Sequence, residues 1–237
     1  MAPTNYSIPE AIHRAAEQVI EKDDKLVIRA YGVIHSTEDF MRAFIRKVMA
    51  KYNRIDLAPA VEIVVKELVM NAAKANFKKI YFSEHNLQID NPAHFESGMA
   101  GFRNIIDENI FVDYGKKARE AQLIVETSFD FNKDRVIVEV RNNVPMAAHE
   151  EQRAREKLRQ GLECNDMVEF MMEHMDETEG AGAGLALCVT TMRSAELDPR
   201  LLSISTDFKT QTVARVEIPL HAGYPPSRQR WQAALAG

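Results

Sequence analysis

The sequence predicts an α+β fold, with antiparallel hairpins set among helices. Three observations predict it. Residues 123–131 and 135–140 alternate apolar and polar side chains around Asn132-Lys-Asp134, the pattern of a β-hairpin. Residues 201–208 and 212–218 repeat that pattern around Lys209-Thr-Gln211. Residues 61–77 contain no proline or glycine, and their apolar residues recur at helical spacing.

In chain order, residues 1–24 read as an N-terminal extension. It holds one short helix over 10–22, with Ile12, Ala15, Ala16 and Val19 on one side. Residues 25–34 are β-branched and aromatic-rich and predict a strand. Ser36-Thr37 followed by Glu38-Asp39 marks a helix start, and the helix continues through Phe44, Ile45 and Val48. Pro59 suits the first turn of the next helix. On that helix Val61, Val65, Leu68, Val69, Ala72 and Ala75 share the arc expected to face a core.

Residues 79–82 predict a short strand or an extended exit. Residues 83–122 carry turn chemistry at Asp90-Asn-Pro92, Ser97-Gly98 and Tyr114-Gly115, with helical pieces around 95–106 and 116–122, and read as an insertion between core elements. The first hairpin follows and ends in a polar loop, Arg141-Asn-Asn-Val-Pro145. Residues 146–179 are charged, helical and methionine-rich; Met167, Met171, Met172 and Met175 with Phe170 make an apolar stripe suited to packing or to a partner. After the second hairpin, the tail from 221 to 237 reads as peripheral, with Trp231 able to dock.

Composition narrows the function classes. Lys and Arg number 30 against 35 Asp and Glu, so a net charge of −5 provides no general attraction to nucleic acid or to anionic membranes. No apolar run is long enough to span a bilayer, and the first residues lack a secretory pattern. Cys164 and Cys188 have no metal-ligand spacing and read as reduced thiols of a cytoplasmic protein.

The chemistry is concentrated on two stretches. Glu67, Asn71 and Lys74 stand at i, i+4 and i+7, so a carboxylate, an amide and an ammonium share one stripe of the long helix. A carboxylate can polarise a nucleophile, an amide oxygen can join the shell of a hard cation, and an ammonium can meet phosphate charge. A solvated polar face is the alternative reading. Gly180-Ala-Gly182-Ala-Gly184-Leu185 feeds an apolar helix, and a glycine-rich loop at a helix start offers free N–H groups to phosphate. A hinge beside a buried helix is the alternative there.

Together these stretches resemble the ATP-binding domain of the GHKL superfamily, which includes gyrase-type ATPases, heat-shock chaperones and histidine kinases. The resemblance covers about 25–220, with 83–122 as an additional segment and 146–179 in the place of the lid. Glu67-Leu-Val-Met-Asn71-Ala-Ala-Lys74 looks like the asparagine box. The resemblance implies that Glu67 is catalytic, that Asn71 holds Mg²⁺, and that Lys74 contacts phosphate. Gly180, Gly182, Gly184 and Leu185 look like the glycine box around the triphosphate. Asn142-Asn143-Val144 stands where the family has Asp-Asn-Gly, with Asn142 and Asn143 as the implied adenine-side contacts. Asn142 accepts a hydrogen bond without charge, a loss of about 1–2 kcal/mol against a carboxylate, and Val144 brings a branched side chain to the base pocket.

The implied fold is a two-layer α+β sandwich of Bergerat type, with a mixed, mostly antiparallel sheet and helices on one face. The implied function is a Mg²⁺-ATP-binding, histidine kinase-like ATPase in signalling, most like stand-alone anti-sigma serine kinases, acting on a partner regulatory protein. The family often forms dimers, which makes a homodimer compatible. The alternative is a nucleotide-independent pseudo-kinase serving as an interaction module.

Overall fold

The computed structural model describes residues 8–32, 35–106, 110–163 and 183–236. In chain order the elements are α1 (Glu10–Lys22), β1 (Leu26–Ala30), α2 (His35–Lys51), α3 (Ala58–Glu84), α4 (Pro92–Ile105), α5 (Ile110–Glu120), β2 (Val125–Phe131), β3 (Arg135–Asn142), α6 (Ala148–Glu163), α7 (Ala183–Ser194), β4 (Leu202–Thr206), β5 (Thr212–Pro219) and α8 (Ser227–Ala236). The methionine-rich part of the expected lid and the start of the glycine loop, including Met167, Gly180 and Gly182, lie outside the described residues.

The fold is α+β, and the described residues form a five-stranded sheet in the order β1-β2-β3-β5-β4. Every pairing among the described residues is antiparallel, where the resemblance implied a mixed, mostly antiparallel sheet. Register sets the core. Val138 lies opposite both Phe129 and Val216, and Val136 opposite Phe131 and Ile218, so one face of the sheet is a continuous apolar layer. Phe44 of α2 packs on it, its ring centroid 5.2 Å from Phe129 and 5.8 Å from Phe131. Asn132 shapes the β2–β3 turn by accepting from the backbone N–H groups of Asp134 (2.9 Å) and Arg135 (3.1 Å).

α3 runs through the middle of the helical layer, against α2, α7 and β3. Val61, Val64, Val65, Leu68, Ala73 and Phe77 are all buried, so the helix is covered on more sides than a single amphipathic arc implies. Glu67, Asn71 and Lys74 remain half-buried. Residues 79–82 are helical rather than extended: Ile80 and Phe82 are buried along the same rod, and packing overrides their β-favouring side chains. α4 sits close to the end of α3 because Gly98 has no side chain. A Cβ there would lie 2.9 Å from Leu87 and overlap the Phe82 ring.

α1 and the stretch after β5 are both tied to the body. Ala16 and Ile20 of α1 belong to the core. At the other end, Glu217 points to the opposite face of the sheet yet is 1% exposed. Its carboxylate accepts from the Tyr224 hydroxyl (2.7 Å), the Ser227 N–H (3.0 Å) and Arg215 Nη2 (2.9 Å). The stretch after β5 is therefore anchored at Tyr224 and Ser227 rather than peripheral. Burial pushes the Glu217 carboxyl up, but these donors outweigh it and hold it below its ordinary value.

Candidate functional site

A cleft of about 250 Å³ opens where α3, β3, β5, α4, α6 and the first turn of α7 meet. Asn71, Lys74 and Lys78 recur every three or four residues along α3, so they line it as a row. Val140, Asn142 and Ala214 give its floor from the apolar face of the sheet. Arg153 and Lys157 reach it from α6.

Asn71 and Lys74 of the helix stripe meet the end of the glycine loop here, whereas Glu67 does not line the cleft and lies beside Gly184. Gly184 and Leu185 line the cleft in the first turn of α7. A Cβ on Gly184 would overlap the Glu67 carboxylate and lie 3.6 Å from Asn71 Nδ2. Glycine lets the α7 backbone come this close without displacing the Glu67 carboxylate, while Asn71 stands at ordinary contact distance. The same proximity is seen from Cys188, one turn further along α7. Burial, and after it the Glu67 charge, push its thiol up, so it stays protonated; its Sγ points to the Val64 carbonyl at 3.9 Å.

Asn142 is 2% exposed and has a determined orientation. Its Nδ2 donates to the Val144 carbonyl (3.2 Å) and to Asn76 Oδ1 (3.3 Å). A carbonyl can only accept, so the atom beside it must be the amide nitrogen, and Oδ1 is the acceptor left for the cleft. The Val144 carbonyl also accepts from Thr212 Oγ1 (2.8 Å), and the Val144 side chain lines the cleft. Asn143 is not part of the site. Its Oδ1 accepts from the Ile124 N–H and its Nδ2 donates to the Gln122 carbonyl, each at 2.8 Å, so it pins the loop to the start of β2.

Several cleft residues have no counterpart in the sequence-based site. Phe95, Met99, Phe102 and Ile106 form one apolar wall, which gives the 83–122 segment a role. Their spacing of four, three and four residues is helical, and Asn91 caps that helix by accepting from the N–H groups of Ala93 (3.0 Å) and His94 (3.2 Å). Lys78 forms an ion pair with Glu150, side chains 14% and 13% exposed, while the other Glu150 oxygen caps α6 at the Ala147 N–H (3.0 Å). Asn76 is fully buried, and its Nδ2 has no hydrogen-bond partner among the described residues.

The cleft therefore joins an apolar wall and floor to a cationic margin. Lys78 is neutralised by Glu150, whereas Lys74 and Arg153 have no ion-pair partner among the described residues. No group of three or more His, Cys, Asp or Glu side chains among the described residues forms a metal cage. Glu67 and Asn71 instead suit a cation that keeps most of its waters and takes further oxygens from a phosphate ligand.

No family model matches the chain, and no solved structure matches it. It is similar to an uncharacterized protein of Treponema pallidum (strain Nichols), 27% identical over 172 residues. These residues make up 73% of this chain and 33% of that protein, so the chain spans about a third of that relative's length.

Proposed function

We propose that the cleft binds Mg²⁺-ATP and that the chain is a histidine kinase-like ATPase domain of GHKL type acting on a partner regulatory protein. The observation that carries this reading is the close approach of Gly184 to Glu67 and Asn71. It brings an acid, an amide and a helix start to one end of a cleft whose other walls are apolar. Lys74 and Arg153 would meet phosphate charge, and Asn71 would hold the metal. Glu67 would polarise the attacking nucleophile. Asn142 Oδ1 would accept from an exocyclic amino group of the base. Mg²⁺, when bound, supplies neutralisation of the phosphate oxygens.

Val144 favours a second reading, an interaction module of the same fold that has given up nucleotide. Its branched side chain occupies cleft wall where the resembled family has glycine. Thermal melting separates the two. A ligand that binds only the folded chain raises its melting temperature, so ATP should do so and Mg²⁺ should enlarge the shift. No shift at saturating nucleotide would leave the interaction module.

A further inference from the structure

We propose that Thr206 is a positioning residue for the cleft. Its hydroxyl fixes the Val144-Pro145-Met146 segment, and this keeps the side chains of Asn142 and Thr212 as hydrogen-bond acceptors alone toward a ligand. The inference rests on the reading of the cleft as a nucleotide site.

Register brings the parts together. Asn142 lies opposite Thr212, and Thr212 opposite Thr206, so the three form one row across β3, β5 and β4. The next row on the same face is Val140, Ala214 and Ile204, which line the cleft. All three polar residues reach the loop after β3. Asn142 Nδ2 and Thr212 Oγ1 both donate to the Val144 carbonyl, at 3.2 Å and 2.8 Å. Thr206 Oγ1 accepts from the Met146 N–H at 3.2 Å. Val144, Pro145 and Met146 line the cleft, whereas Thr206 does not and acts through them.

The hydrogens of the row are all committed within the protein. Asn142 gives its second one to Asn76 Oδ1 (3.3 Å), Thr212 gives its only one to Val144, and Thr206 donates to the Gln211 carbonyl (2.9 Å). Asn142 Oδ1 and the Thr212 hydroxyl oxygen can therefore only accept. The Val144 carbonyl already takes two bonds, and Pro145 has no N–H. An amino group on the ligand is matched at this end of the cleft.

That selection depends on where the Val144 carbonyl sits, and Thr206 holds the chain two residues further on. Its hydroxyl has no capacity left, since it also accepts from the Phe208 N–H (3.2 Å). Its own support is stiff: Asp207 accepts from the N–H groups of Lys209 (2.9 Å), Thr210 (2.7 Å) and Gln211 (3.0 Å), and Phe208 is held at φ 58°. Without the hydroxyl the Met146 N–H loses its partner and the loop is free to turn. The Val144 carbonyl then leaves the row, and the hydrogens of Asn142 and Thr212 become available to the ligand.

The test titrates the full chain, with Mg²⁺ present, with ATP and with the triphosphate of purine riboside, which lacks the amino group. The wild type should prefer ATP by about tenfold or more. In Thr206→Val that ratio should fall to about threefold or less, and Thr206→Ser, which keeps the hydroxyl, should restore it. The ratio is insensitive to loss of folded protein, because both ligands meet the same folded fraction. Hydrogen exchange supplies a ligand-free readout: the Met146 amide should exchange faster in Thr206→Val and not in Thr206→Ser. The proposal is overturned if both nucleotides bind the wild type equally, if Thr206→Val keeps the wild-type ratio or weakens both ligands alike, if Thr206→Ser fails to restore it, or if Met146 exchange is unaltered. Absence of binding by either nucleotide to the wild type instead overturns the nucleotide reading of the cleft, and this proposal with it.

Discussion

Asn142, the last residue of β3, is joined to Val144 in the loop that follows: the amide nitrogen of Asn142 donates to the Val144 carbonyl, 3.2 Å away. The bond runs to the backbone of residue 144, so it constrains the side chain at 142 whatever side chain 144 carries. The loop turns a carbonyl onto the side chain of residue 142, and that side chain must be a donor.

Asn142→Asp should consequently destabilise the chain. A carboxylate there faces the Val144 carbonyl and Asn76 Oδ1 with no proton to give, which costs about 1–3 kcal/mol for a buried unsatisfied pair. The cost should shrink at acid pH, where the protonated carboxyl can donate. Urea unfolding of variant and wild type at pH 7 and pH 4 checks this: the gap between them should narrow at the lower pH.

The Glu217 anchor predicts a pH dependence of the C-terminal segment. Its carboxyl is held below the ordinary value of 4.5, so its stabilisation is complete above that value and is lost as pH falls through the folded one. Proteolysis near Tyr224 should accelerate over that acid range in the wild type. Glu217→Gln keeps the shape but removes the charge; it should be cut faster at neutral pH and show little further change on acidification.

The Lys78–Glu150 pair sits mostly out of water, so removing one partner strands the other. Lys78→Met should lower stability by about 3–5 kcal/mol. Adding Glu150→Leu should recover part of that loss, with a coupling energy of about 0.5–3 kcal/mol from the double-mutant cycle. Denaturant midpoints of the four proteins measure it.

What the sequence revealed was local. The α3 stripe and both hairpins depend on spacing within one element, whereas the closeness of Gly184 to Glu67 and Asn71 was implied only by the resemblance. What it concealed was non-local. Asn76 reads as one more polar helix residue until Asn142, from a strand 66 positions away, is placed against it. Glu217 reads as a solvent-facing strand glutamate, because nothing before Tyr224 indicates that the tail will cover it. Asn143 looked like its neighbour, yet the pleat turns adjacent side chains to opposite faces, and it serves the backbone of 122 and 124 instead. The helical piece around 95–106 was legible, but its start at Asn91 and Pro92 read as a turn, Gly98 is a close contact rather than a break, and which side of the helix meets the cleft is again non-local.

The central claim is that the α3 stripe and the start of α7 form one Mg²⁺-nucleotide site, and calorimetric titration of ATP into the chain, with and without Mg²⁺, tests it most directly. The account predicts saturable binding that Mg²⁺ strengthens, with the Mg²⁺ increment lost in Asn71→Ala while the fold stays intact. Absence of ATP binding under either condition, or a Mg²⁺ increment undiminished in Asn71→Ala, would contradict it.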